Sequence, residues 1–265
     1  MTILCYHSVD PRWQSSLAVH PDDFERQCAW LWASGRVAPL GQLLERRPLR
    51  GPERHGSLAL TFDDGLAELY DHAFPTLRRF RLPAVIFVVA RTLTGARQPV
   101  DWVDTPPAWP LKTLTVDQVL EARSEGLQIA SHSYAHQDLT QLSEQECLDD
   151  LRLSREVLED VLREQVRWLA YPGGRHAAHV RRAAQRAGFS HGFTLPDARE
   201  ARGAFSIPRV GVFPGNGVLG LRAKTSLAYL PIRTSPVFPV MRRLVRQTTA
   251  AAGPVPEATY FRATS

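Results

Sequence analysis

At 265 residues and 44% hydrophobic content, the chain has material for one large domain or two small ones with an ordinary buried core. Its three cysteines, Cys5, Cys28 and Cys147, are odd in number and lack Cys-x-x-Cys spacing, which argues against a disulfide framework or a structural zinc cluster and predicts buried, reduced thiols. The formal charge of +5 comes from scattered arginines, with no aromatic-interleaved basic stripe and no zinc-finger spacing, so no nucleic-acid partner is expected.

The opening MTILCYHSVDP has no basic n-region and only a short apolar run, and nowhere do about 18 apolar residues run together, so a cytoplasmic location is expected. TILCYHSV reads as a strand. PDDFERQCAWLWASG then shows helical spacing at Phe24, Cys28, Leu31 and Trp32, with Gly35 as its stop. The strand LALTF precedes a helix predicted from Leu66 to Phe80, and AVIFVVA is the next strand. Residues 91–116 are rich in Pro and Trp without a period, the mark of a long irregular insertion. LQIASH is a strand, followed by an amphipathic helix capped by Ser143 with Glu146 completing a capping box. RWLAYP, HAAHVRRAAQRAG, FSHGFTL and FSIPRVGV continue the alternation, with Gly188 ending the second of these. Repeated βα units predict a parallel sheet closed or nearly closed into a barrel, with chemistry at the carboxyl ends of strands.

Three strand ends carry such chemistry. Asp63 and Asp64 follow LALTF, His132 follows LQIA, and Gly173 and Gly174 follow RWLAYP. Adjacent carboxylates in a buried site repel unless a cation, a shared proton or solvent relieves them. His132 and His136 stand four apart, on one face if the segment is helical; with one aspartate they form a three-ligand set that leaves positions open, as a catalytic divalent metal requires. Taken alone, Asp-Asp-Gly is also a turn or cap, and His-x-x-x-His also an exposed helix face. Their joint occurrence at successive strand ends favours function. Adjacent residues on one turn do not flank a glycosidic bond at the separation a glycosidase needs.

TFDDG (61–65), HSYAH (132–136) and AYPGG (170–174), with CYHSV, PDDFERQCAWL, AVIFVV and FSIPRVGV on their flanks, resemble in order and spacing the polysaccharide deacetylase family, the NodB-homology domains of carbohydrate esterase family four. The resemblance covers roughly residues 1 to 215. It implies an α/β fold, a distorted (β/α)7-type barrel, and a catalytic domain over residues 1–220 followed by a helical or partly flexible extension over 221–265. It further implies a metal-dependent hydrolase that removes the N-acetyl group from an amino sugar.

Carried over residue by residue, the resemblance makes Asp63 the catalytic base, and Asp64, His132 and His136 the metal ligands. The metal would polarise the acetamide carbonyl while Asp63 takes a proton from the attacking water. Gly173 would donate a backbone N–H to the oxyanion. The sequence departs from the family pattern twice. The third-motif arginine that orients the base falls on Ala170; Arg209 is the candidate replacement, with Arg175 second. The C-terminal leucine-x-histidine is absent after residue 215, and by resemblance to the circularly permuted branch acting on poly-N-acetylglucosamine, His7 in CYHSV takes the role of general acid.

An Asp-His-His set suits Zn²⁺, with Ni²⁺, Co²⁺ or Fe²⁺ compatible by ligand type. Trp102 and Trp109 are expected either to stack on sugar faces or to anchor the insertion in a small satellite core, and Tyr171 is expected beside the substrate. The basic, partly apolar stretch 233–247 is read as a helix packed on the barrel, with peripheral membrane contact as a second reading. The expected substrate is an N-acetylated carbohydrate: a glycan precursor, a lipid-linked intermediate or a sugar on a small molecule. A hydrolase of a non-sugar amide or ester, and a non-catalytic sugar-binding relative, are the alternatives.

Overall fold

The computed structural model describes residues 1–45, 56–95, 99–103, 105–196, 198–200 and 202–236. Its centre is an all-parallel sheet of eight strands in the order β10-β1-β4-β5-β6-β7-β8-β9. These are β1 (Thr2–Tyr6), β4 (Leu58–Phe62), β5 (Ala84–Val88), β6 (Gln128–Ser131), β7 (Trp168–Ala170), β8 (His191–Thr194), β9 (Ile207–Pro208) and β10 (Val210–Gly211). The two edge strands are halves of one segment, divided only at Arg209. Thr194 pairs with Pro208, and Leu4 with Val210. Arg209 N–H donates to Thr194 O at 2.9 Å and Val212 N–H to Cys5 O at 2.8 Å. One segment therefore closes the ring on both sides, and counting it as one stave reduces the eight strands to seven, the expected barrel. A small ribbon, β2 (Ser8–Val9) with β3 (Ala18–Val19), continues beyond β1.

Side chains alternate across the strands with period two. Leu4, Tyr6, Leu58, Leu60, Phe62, Ile86 and Val88 face outward into the main core beneath the helices. Ile3, Ala59, Val85, Phe87, Ala130, Ala170 and Phe193 fill the interior. The alternation that buries Ile3 carries Cys5 and His7 to the same side, and the one that buries Ala59 carries Thr61 and Asp63. Three of the interior residues are alanines, which leaves room above Phe87 for the fully buried Arg209, whose guanidinium lies 5.3 Å from that ring.

The outer helices are α1 (Pro21–Ser34), α2 (Leu40–Leu44), α3 (Glu68–His72), α4 (Phe74–Arg79), α5 (Val116–Ser124), α6 (Glu144–Leu162), α7 (Ala178–Arg186), α8 (Val218–Lys224) and α9 (Tyr229–Arg233). Gly35 stops α1 in the left-handed conformation, and Ser143 with Glu146 closes the capping box of α6. The helix predicted over 66–80 is two short ones meeting at Ala73, because Pro75 has no N–H for a continuous helical ladder. The expected division at residue 220 falls inside α8. Leu221 is buried, Lys224 Nζ donates to Gly211 O at 2.6 Å, and Arg36 donates to Thr225 O at 3.3 Å. α8 thus packs on the barrel along its whole length. Residues 237–265, and with them most of the stretch 233–247 read as a helix packed on the barrel or, second, as a membrane contact, lie outside the described residues. No described helix is long and apolar enough to cross a membrane.

Candidate active site and metal centre

The loops at the carboxyl ends of β1, β4 and β6 bring His7, Asp63, Asp64, His132 and His136 together, each at most 2% exposed. After β4 the chain turns sharply, with Asp64 (φ 68°) and Gly65 (φ 62°) both left-handed. A side chain at Gly65 would press on Val88 Cγ2 at 3.2 Å, so glycine fits there on two counts. The turn aims the two carboxylates in different directions.

Asp63 faces the barrel interior. Arg209 grips it with both arms, Nη1 to Oδ1 at 2.6 Å and Nη2 to Oδ2 at 2.7 Å, and Nη1 also donates to Thr61 Oγ1 at 3.2 Å. Cys5 Sγ donates to Oδ2 at 3.4 Å, and His7 Nε2 stands 3.9 Å from the same oxygen. Burial alone would raise the pKa of Asp63; the charge and hydrogen bonds of Arg209, with His132 and His7, outweigh it and hold the carboxyl below the usual range. Asp63 is therefore an ionised carboxylate.

Asp64 faces the histidines. Its Oδ1 lies 3.1 Å from His136 Nε2 and 3.5 Å from His132 Nε2, while its buried Oδ2 has no hydrogen-bond partner. Donor atoms of Asp64, His132 and His136 all lie within 4.8 Å of one another. An orphaned carboxylate oxygen beside two imidazoles is costly unless a cation takes it up, so the residues fit a divalent metal. His132 Nδ1 lies 2.9 Å from Ala170 O. A carbonyl only accepts, so Nδ1 carries the hydrogen and Nε2 presents a lone pair. Burial pushes the pKa of His132 down to about 4, which keeps it neutral and able to ligate.

The segment HSYAH is not helical. Ser133 (φ 66°) and His136 (φ 56°) are left-handed, and the imidazoles meet edge to face with centroids 4.8 Å apart. This corrects the helical placement of the two histidines. The physical reason lies in α6, where Asp150 accepts the N–H groups of Tyr134 at 2.9 Å and Ala135 at 3.1 Å. Ser133 Oγ accepts the His136 N–H, and Ser131 Oγ accepts that of Ser133. These anchors hold strained backbone that a bare loop would release.

Of the three expected substrate contacts, Trp102 adjoins the donor set, whereas Tyr171 and Trp109 pack away from it. Tyr171 is fully buried, donates its hydroxyl to Phe205 O at 3.1 Å and stacks on His176; it is a core residue with no face open to a sugar. Trp102 is 8% exposed, stacks on His136 at 5.0 Å, lies beneath Arg91 and donates Nε1–H to Asp64 Oδ1 at 3.2 Å. Its ring and its N–H are thus engaged by His136 and Asp64. Trp109 packs on the satellite cluster of Trp13, Leu17, Ala18, Leu66 and Leu111, with the Arg12 guanidinium 4.8 Å from its ring, so of the two readings it follows the loop anchor. Gly173 sits in the turn after β7 with φ 60°. Arg175 is exposed and pairs with Asp138 at 2.7 Å, away from Asp63. Cys5, Thr61 and Asp150 went unrecognised in the sequence. The first two share the period-two stripes that lead to His7 and Asp63, a signal that was available.

A sequence profile described as polysaccharide deacetylase matches residues 50–192, more than half of the chain. The chain belongs to the polysaccharide deacetylase family. As a member it is a carbohydrate deacetylase, a hydrolase acting on amide bonds. It is 26% identical over 223 residues to YxkH of Bacillus subtilis, covering 81% of this chain and 72% of that protein. It is also 26% identical over 209 residues to the poly-β-1,6-N-acetyl-D-glucosamine N-deacetylase of Staphylococcus epidermidis, covering 73% of this chain and 67% of that one. The deacetylase PplD of Streptococcus pyogenes, solved in complex with acetate, shares the fold with a TM-score of 0.72 at 24% identity, over 85% of this chain and 98% of that one.

Proposed function

We propose that this polysaccharide deacetylase removes acetyl groups from N-acetylglucosamine units of a polymer, using Zn²⁺ held by Asp64, His132 and His136. The observation that carries the reading is an ionised, arginine-clamped Asp63 next in sequence to a buried donor set closing to within 4.8 Å. The likeness to the Staphylococcus enzyme supports the polymer over a small glycoside. When bound, the ion supplies Lewis-acid polarisation of the amide carbonyl.

Asp63 takes the proton of the attacking water, and Arg209 holds the receiving carboxylate in place through two bonds, so no reorganisation is needed as charge moves. His7, whose pKa burial lowers, stands 3.9 Å from Asp63 Oδ2 and passes the proton collected there on to the departing nitrogen. The N–H of Gly173 steadies the oxyanion. Trp102 and the Ala170 carbonyl keep Asp64 and His132 in ligating orientation.

The reading is tested by acetate release from β-1,6-linked N-acetylglucosamine oligomers, with metal-stripped protein reloaded with Zn²⁺ beside Asp63→Asn. Zinc-dependent release that the variant loses is expected. Release from non-sugar amides alone, or none despite stoichiometric zinc, would overturn it.

A further inference from the structure

Beside the proposed metal centre lies a second convergence of metal-binding atoms. Cys5, His7 and Asp63 are all buried and also bring donor atoms within 4.8 Å of one another. Cys5 Sγ is 3.4 Å and His7 Nε2 is 3.9 Å from Asp63 Oδ2. In a tetrahedral zinc site, bond lengths of about 2.0–2.3 Å put neighbouring ligand atoms about 3.4–3.6 Å apart. The Cys5–Asp63 edge of such a tetrahedron is thus in place, and the His7–Asp63 edge needs a small inward shift of the imidazole. The fit comes from the strands: Cys5 and His7 lie two apart on the interior side of β1 and its extension, facing the end of β4 across a register that pairs Cys5 with Thr61.

We infer that Cys5, His7 and Asp63 form a second cation site, selective for thiolate-seeking divalent ions such as Zn²⁺ and Cd²⁺, whose occupation inhibits the enzyme. Binding breaks the Cys5 S–H bond, releases its proton to solvent and forms a sulfur–metal bond without any change of oxidation state. Arg209 already holds both oxygens of Asp63, and its positive charge opposes a second cation. The site therefore fills after the Asp64, His132 and His136 set. Hard ions that prefer oxygen, such as Mg²⁺ and Ca²⁺, do not take it. The inhibitory consequence rests on the roles proposed for Asp63 and His7, since one ion would occupy both the proton acceptor and the proton donor; the binding site itself rests on geometry alone.

The test titrates the full metal-stripped chain with Cd²⁺, following bound metal by equilibrium dialysis and the ultraviolet thiolate-to-cadmium charge-transfer band. Two equivalents are expected, with the band growing only with the second. Cys5→Ser should lose the band and the second equivalent but keep the first, and His7→Gln should weaken the second at least tenfold. Circular dichroism establishes that each variant is folded; should Cys5→Ser not fold, His7→Gln carries the decision. Asp64→Asn should lose the first equivalent, which checks the proposed catalytic set separately. A single equivalent without the band overturns the second site and leaves the deacetylase reading standing, and a band that survives Cys5→Ser also overturns it. In assays with excess Zn²⁺, each variant being compared with its own maximum, half-inhibition of Cys5→Ser should need at least tenfold more zinc than wild type; equal curves overturn the inhibitory role.

Discussion

Asp63 and Arg209, 146 positions apart in the chain, meet in the barrel interior through two parallel hydrogen bonds of 2.6 and 2.7 Å, both side chains essentially without solvent exposure. The family's third motif would supply this arginine from β7, where Ala170 stands. Here it comes from the segment that closes the barrel.

Removing the guanidinium leaves a buried carboxylate without its partner. Arg209→Ala should lower stability by about 3–5 kcal/mol, and deacetylation should fall by at least about a hundredfold. Arg209→Lys should recover part of the stability but little activity, because an ammonium cannot make the paired bonds. Denaturant melts and acetate-release rates on the same preparations separate the two effects.

Trp102 holds Asp64 by a hydrogen bond and His136 by stacking. Trp102→Phe keeps a ring but loses the donor, so zinc affinity should fall by about tenfold or more, within the range known for outer partners of metal ligands. Competition with a chromophoric chelator measures it. An unchanged affinity would show that the indole only fills space.

Asp150 anchors the turn that carries both histidines. Asp150→Ala orphans two backbone N–H groups and should cost about 2–3 kcal/mol. Zinc affinity should drop with it as Ser133 and His136 relax from left-handed backbone. Asp150→Asn, which keeps one acceptor oxygen, should lie between the two on both readouts.

The metal-free protein should lose stability as the pH falls. Burial lowers the pKa of His132 to about 4, below its ordinary value of about 6.5, so between these values the unfolded chain binds more protons than the folded one and stability falls with falling pH. Asp63, also held low, acts in the same sense in more acid solution: its contribution is present above the ordinary carboxylate pKa of about 4 and is lost below it. Thermal midpoints of metal-stripped protein at pH 7 and pH 5 should show the drop.

Gly174 lies in the turn after β7 with φ 69°, and a Cβ there would come within 2.3 Å of Leu195 N. Gly174→Ala should destabilise by about 2 kcal/mol or more and displace the adjacent Gly173. A loss of turnover exceeding the loss of folded protein would support a role for that backbone in the reaction.

The parallel barrel was legible because it depends on residue type at fixed places, and so was the convergence of carboxylates and imidazoles at its strand ends. Apolar β-branched runs mark the strands, and aspartate and histidine at their ends mark the chemistry. What was not legible depends on partners distant in sequence. Nothing within HSYAH shows that Asp150 on the following helix bends it out of a helical path. Nothing in DWVDTPPAWP shows that Trp102 turns inward to Asp64 while Trp109 anchors the loop. Tyr171 adjoins a motif yet fills the core, since an aromatic beside a catalytic turn has the same one-letter signature in either place. Arg209 was legible as a candidate only because the family pattern places an arginine where Ala170 stands; Cys5 lies two residues before His7 and shares its stripe without belonging to any motif.

The segment 207–211 joins β8 on one side and β1 on the other, with Arg209 at the crossing point. Closing the ring and clamping Asp63, the proposed base, are consequently one event. A chain whose sheet is still open has neither a sealed interior nor a clamped Asp63, so on the proposed mechanism a nascent or partly unfolded molecule should be inactive. Regain of activity during refolding should therefore track barrel closure rather than formation of the individual βα units.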